Sequence, residues 1–166
     1  MKSALFLLCG ALALSACGKS DTESVTVPDG EGGSTTFSKS DSTTTITGAD
    51  GEETTISSNT GTNKLPAYAP VYPGSKAMES ASIKTGEGEM NTASFTTSDP
   101  ASKVMAFYKE KLTSGGMKIM METNSTDGSM MMANKDGKED GESAVVTVNT
   151  EGGETKVAIV SNIAAQ

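Results

Sequence analysis

Ser98-Asp99-Pro100-Ala101-Ser102-Lys103-Val104-Met105-Ala106-Phe107-Tyr108-Lys109-Glu110-Lys111-Leu112-Thr113-Ser114-Gly115-Gly116 is the stretch that decides the fold. Ser98 or Asp99 can accept from the free amides of a helix N-terminus, and Pro100 suits the first helical position. Val104, Phe107, Tyr108 and Leu112 recur at helical spacing, and Gly115-Gly116 predicts where the helix stops. Lys103, Lys109 and Lys111 fall off the apolar stripe and read as solvated charges. A single helix with one apolar face needs a sheet to cover.

The flanking sequence supplies strands. Upstream, 77–83 and 90–96 read as two strands joined across Lys84-Thr85-Gly86-Glu87-Gly88-Glu89, a glycine-bearing hairpin loop. Downstream, 117–123 and 129–133 flank Asn124-Ser125-Thr126-Asp127-Gly128, and 144–149 and 155–163 flank Glu151-Gly152-Gly153-Glu154. Hairpins need no crossover, so the sheet is expected to be antiparallel. Leu65, Pro66, Pro70, Val71, Tyr72, Pro73 and Gly74 form a proline-stiffened lead-in that suits a domain boundary. Residues 64–166 are therefore predicted to be an α+β domain, an antiparallel sheet of about six strands with one helix packed on a face.

Residues 17–63 have a different composition. Thr, Ser, Gly, Asp and Glu dominate, and Val25, Val27, Phe37, Ile46 and Ile56 are the sizeable apolar side chains after Cys17, too few for an independent core. One pattern recurs: Asp29-Gly30-Glu31-Gly32-Gly33-Ser34-Thr35-Thr36-Phe37-Ser38 returns, two residues shorter, as Asp50-Gly51-Glu52-Glu53-Thr54-Thr55-Ile56-Ser57. Each copy reads as a tight turn followed by a Thr-rich strand. Weak β-hairpins and a flexible tether are both open; two copies fall short of the three a repeat stack usually needs, which favours the Thr/Ser/Gly-rich tether.

The N-terminus carries an address. Met1-Lys2-Ser3 precedes an apolar run, 4–14, too short to span a bilayer, and Leu14-Ser15-Ala16-Cys17 closes it. These four residues resemble the lipobox of bacterial lipoproteins. The resemblance implies removal of 1–16 as a signal peptide, a diacylglyceryl thioether on Cys17 and an N-acyl group on its amine. Three chains at ~0.8 kcal/mol per buried methylene would hold the protein on a membrane. Gly18, where aspartate would imply inner-membrane retention, implies the outer membrane, with the chain facing the periplasm.

Composition prunes the chemistry. Without Lys2, twelve lysines oppose 21 carboxylates, a formal charge of −9, and the chain has no His and no Arg. Nucleic acid is excluded as a partner by such a surface. Cleavage removes Cys9 and lipidation consumes Cys17, so neither a disulfide nor a Cys or His catalytic constellation can form. The expectation is a protein that is not an enzyme and needs no cofactor. Methionine is the unusual residue: Met117, Met120, Met121, Met130, Met131 and Met132 lie on two strands predicted to pair. Strict alternation would place Met117 and Met121 on one face with Met130 and Met132 opposite them, a thioether set suited to Cu(I). Core filling is the simpler reading, because Met adapts to irregular gaps. Asp136, Asp140 and Glu142 fail the EF-hand pattern, since Lys138 takes the third ligand position and Thr147 the twelfth.

The C-terminal half also resembles small uncharacterised α+β domains of secreted bacterial lipoproteins, through Tyr72-Pro73-Gly74, Phe95, Thr97, Asp99, Val104, Phe107-Tyr108, Leu112, Gly116 and Val146-Thr147-Val148. Met117 stands where such domains tend to have Trp. The resemblance implies a fold and no activity. The function expected from sequence is a non-enzymatic outer-membrane-anchored periplasmic lipoprotein, an envelope binding or structural module with an envelope protein or glycan as partner; the alternative is Cu(I) binding through Met117, Met121, Met130 and Met132.

Overall fold

The structure, a computed structural model, describes residues 22–28, 32–59, 65–125, 128–136 and 141–165. Its strands are β1 (Thr22–Pro28), β2 (Ser34–Ser40), β3 (Thr43–Thr47), β4 (Glu53–Asn59), β5 (Lys76–Thr85) and β6 (Gly88–Thr97). After α1 (Ala101–Ser114) come β7 (Met117–Asn124), β8 (Ser129–Lys135), β9 (Ser143–Glu151) and β10 (Glu154–Ala164). All ten strands form one antiparallel sheet in the order β1-β2-β3-β4-β5-β6-β10-β9-β8-β7.

This corrects the expected α+β domain of about six strands behind a tether: the chain is mostly sheet, with a single helix among the described residues. The two weak hairpins, β1-β2 and β3-β4, are built into the sheet. Their own apolar content is indeed small. What orders them is the free edge of β5, to which β4 pairs from Thr55↔Lys84 to Asn59↔Ser80. An unpaired edge is a row of unsatisfied amides and carbonyls, and a Thr-rich strand satisfies them without a core of its own. The template is thus β5 rather than a third repeat.

The helix lies over β7, β8 and β9. It starts at Ala101, with Pro100 in the cap position and no side-chain cap. Asp99 turns instead to Tyr72 Oη, which donates to it at 2.7 Å, and to Lys103 Nζ at 3.0 Å. Val104, Met105, Tyr108 and Leu112 are buried against the sheet, and Gly115 and Gly116 close the helix. Phe95, Val157 and Val148 form one cross-strand row beneath, and Ala93, Ile159, Val146 and Met131 the next. Burying each large apolar side chain contributes about 1.5–3 kcal/mol. The β9-β10 turn needs two consecutive left-handed residues, and Gly152 (φ 61°) and Gly153 (φ 83°) supply them.

The lead-in 65–75 covers the same face. Tyr108 donates to the Pro70 carbonyl at 2.8 Å and Tyr68 to the Asn162 carbonyl at 3.2 Å. Tyr72 meets Phe107 edge-on, with ring centroids 5.1 Å apart. Beneath this layer Asn91 and Ser161 are cross-strand partners, both fully buried. Neither the Asn91 amide nor the Ser161 hydroxyl has a hydrogen-bond partner among the described residues.

Burial, with the Glu142 charge adding, pushes the Tyr68 hydroxyl up to about 12. Burial, then Tyr72, raises Tyr108; burial, then the hydrogen bond to Asp99, raises Tyr72. Unfolded tyrosine ionises near pH ~10. Above that pH the folded state holds more protons than the unfolded one, so stability falls as pH rises. Below it the contribution is fully present, and the sequence has no His to titrate near neutrality. Urea unfolding should therefore give a stability plateau between pH ~6 and ~9 and a steep decline above pH ~10. Tyr68→Phe should make that alkaline limb shallower. A flat profile through pH ~12 would contradict the buried tyrosine layer.

Candidate binding face

The two faces of the sheet differ in chemistry. On the helix side, β1 to β4 carry hydroxyls almost exclusively: Ser24, Ser38, Thr45 and Thr55 form one cross-strand row, and Thr22, Ser40, Thr43 and Ser57 another. Thr26 and Thr36 are hydrogen-bonded at 3.1 Å, Thr43 and Ser57 at 3.3 Å. Such a face gains little from burial, and the helix and lead-in leave it uncovered.

The opposite, helix-free face carries an apolar line. Met121↔Met132, Met132↔Val145 and Val145↔Val160 are direct cross-strand pairs. One diagonal step leads to Met90, and Met90↔Ile83 and Ile83↔Ile56 continue the line. A second diagonal step reaches Ile46, followed by Ile46↔Phe37 and Phe37↔Val25. Each of the ten strands contributes one side chain. With strands about 4.8 Å apart, the line is roughly 40 Å long. Among the described residues, six of the eight exposed large apolar side chains lie on this face (Val25, Val27, Phe37, Met90, Met121 and Val160); the other two, Met78 and Met120, sit at β-bulges.

Beside the middle of this line lies an open groove of about 690 Å³. Ala81, Thr92, Ser94 and Ala158 form its floor, Val160 one wall, and Ser42, Ser58 and Glu79 its polar rim. The floor is low because its side chains are small. Thr92 Oγ1 is spent on the Ala81 carbonyl at 3.4 Å. Ser42, in the β2-β3 turn, is held at the groove beside Ser58, whose amide donates to the Ser42 carbonyl at 2.8 Å. The volume falls in the range that holds small ligands.

The methionine set is divided. A bulge between Ile119 and Met121 breaks the alternation of β7. Met117 thus stays on the helix side with Met131, both buried, while Met121 joins Met130 and Met132 on the helix-free face. The four sulfurs expected together do not share a face. Among the described residues no group of three or more His, Cys, Asp or Glu could hold a metal ion. Glu142 pairs with Lys135 at 3.2 Å, and 137–140 lie outside the described residues. Lys103 and Lys109 are paired with Asp99 and Glu122, and Lys111 lies 5.6 Å from the centre of the Phe107 ring. Cys17 lies outside the described residues. No helix among the described residues is long and apolar enough to cross a membrane.

A model of a START domain-like family matches residues 77–156, a little under half of the chain. The match begins in β5, contains the helix and ends in β10, leaving out β1 to β4. No curated protein and no solved structure matches this chain.

The line had a sequence signal that total apolar content hides. Val25, Phe37, Ile46 and Ile56 are each flanked on both sides by Ser or Thr, so each strand shows an apolar side chain on one face only. Phe37 and Ile56 are also equivalent positions of the repeated pattern, and both face the same way.

The division of the methionines has an energetic consequence. Met117→Ala should cost about 2–5 kcal/mol in urea unfolding, because it hollows the core. Met121→Ala, on an exposed position, should cost less than ~1 kcal/mol. Equal costs would contradict the bulge at Ile119/Met121.

Proposed function

We propose that this protein is a non-enzymatic lipoprotein, anchored through Cys17 to the periplasmic side of the outer membrane, that binds an extended and mainly apolar ligand on its helix-free face. The observation that carries the binding role is the groove of about 690 Å³ with its floor of Ala81, Thr92, Ser94 and Ala158. Its rim adds hydroxyls and the Glu79 carboxylate, a few polar groups that can orient a ligand. Among the described residues no aromatic ring lines it for a sugar to stack on, which favours an apolar segment of an envelope protein over a glycan. START-like domains are generally binding domains, and the partial likeness to such a family supports the same reading. The lipobox residues Leu14-Ser15-Ala16-Cys17 support the anchor and Gly18 the outer membrane. A chain without His, and without a free thiol once processed, supports binding over catalysis.

Two measurements test this. Metabolic palmitate labelling should mark the wild type and not Cys17→Ser; equal label would remove the anchor. A neutral apolar dye, N-phenyl-1-naphthylamine, should brighten on the wild type and at least tenfold less on Thr92→Leu/Ala158→Leu, which fills the groove floor. Unfolding by urea should shift little, since Ala158 is exposed and Thr92 half-buried. Undiminished dye binding by the filled variant would remove the groove as the site.

A further inference from the structure

The line on the helix-free face is most exposed at its β1-β2 end. Val25 is 61% exposed, Val27 50% and Phe37 41%, against 37–39% for Met90, Val160 and Met121 farther along. Val25 and Phe37 are direct cross-strand partners, and Val27 is their diagonal neighbour. Glu23 and Lys39 face each other on the same side, so the patch is framed by one charge of each sign. The remainder of the chain is strongly acidic.

We propose that the β1-β2 hairpin lies on the bilayer surface, with Val25, Val27 and Phe37 dipping into the boundary between headgroups and acyl chains. This rests on the lipidation of Cys17 put forward above. Four residues separate Cys17 from Thr22, where β1 begins. Fully extended, that connection reaches at most about 18 Å, well under the thickness of a bilayer. A lipidated Cys17 therefore holds the start of β1 within about 18 Å of the bilayer surface. Tethering raises the local concentration of bilayer at the patch, so a small apolar contact that would be too weak for a free protein suffices. The balanced Glu23/Lys39 pair fits a zwitterionic surface. A second copy of the chain would need the same acidic surfaces to approach each other.

Orientation follows. Neighbouring strands rotate by roughly 20–25°, so from β1 to β5 the sheet turns by about a right angle. With β1-β2 flat on the membrane, the groove at β4, β5, β6 and β10 opens sideways along the membrane surface rather than into it.

The chain contains no Trp, so a single introduced one reports its own surroundings. Phe37→Trp is placed in the full lipidated protein, with palmitate label confirmed, and reconstituted in vesicles of phosphatidylethanolamine with a minor share of phosphatidylglycerol. Val27→Trp repeats the measurement should Phe37 prove necessary for the hairpin. Ala106→Trp, exposed on the helix, is the control. The expected result is blue-shifted emission from the hairpin probes and strong quenching by acyl-brominated lipid, with neither at Ala106→Trp. Unquenched hairpin probes on protein that is labelled and floats with the vesicles would overturn the docking and leave the lipoprotein reading standing. A blue shift without bromine quenching would mean that protein, such as a second copy, covers the patch, and would also overturn it. Absence of label on the wild type would remove the anchor and the docking together.

Discussion

Backbone pairing along the edge of β5 is the constraint on which the rest of this structure depends. β5 has β6 on one side, and without β4 its other side would present a ladder of unsatisfied groups. Once β4 docks, its own outer edge becomes the template for β3, and the addition repeats through β2 to β1. Each step rests on hydrogen bonds and one apolar neighbour, Ile83 opposite Ile56, Ile56 diagonal to Ile46, Ile46 opposite Phe37 and Phe37 opposite Val25, rather than on a buried core. The stability of the sheet should accordingly decline from β5 toward β1, since less apolar area backs each added strand.

This mode of construction also explains why the two faces differ. Where α1 and the lead-in cover the sheet, the side chains are Phe95, Val146, Val148, Val157 and Ile159, and the layer beyond is closed by Tyr68, Tyr72 and Tyr108. Past the reach of the helix the same face turns to Ser and Thr, which keep β propensity without demanding burial. The apolar side chains of β1 to β4 all point the other way and extend the line begun by Met121, Met132 and Val145. A surface of this kind is costly to leave in water unless something uses it. The groove beside its middle and the lipid anchor proposed at Cys17, five positions before β1, are the two uses proposed for it.

Parts of this were legible in the chain and parts were not, for physical reasons. The helix was legible because Pro100, the Val104 to Leu112 spacing and Gly115-Gly116 are local signals, although Asp99 was spent on Tyr72 instead of the cap. The hairpins around Gly86, Gly128 and Gly152-Gly153 were legible for the same reason. The number of strands was not. Residues 22–59 carry too few apolar side chains to build a core, and what holds them is an edge contributed by Ile83 and its neighbours, which composition does not reveal. The face occupied by Met121 was also hidden, because strict alternation has no place for the bulge after Ile119. The groove draws its lining from β4, β5, β6, β10 and the β2-β3 turn, and no local pattern encodes that assembly.

The most direct test of the single ten-stranded sheet is the β4-β5 seam in solution. Isotope-labelled Cys17→Ser protein without residues 1–16 should show backbone NOEs joining Thr55–Asn59 to Ser80–Lys84 in the antiparallel register Ile56↔Ile83. Strand-like chemical shifts should run back from there to Thr22. Random-coil shifts before residue 60, with no contact across the seam, would contradict the account and return β1 to β4 to a tether.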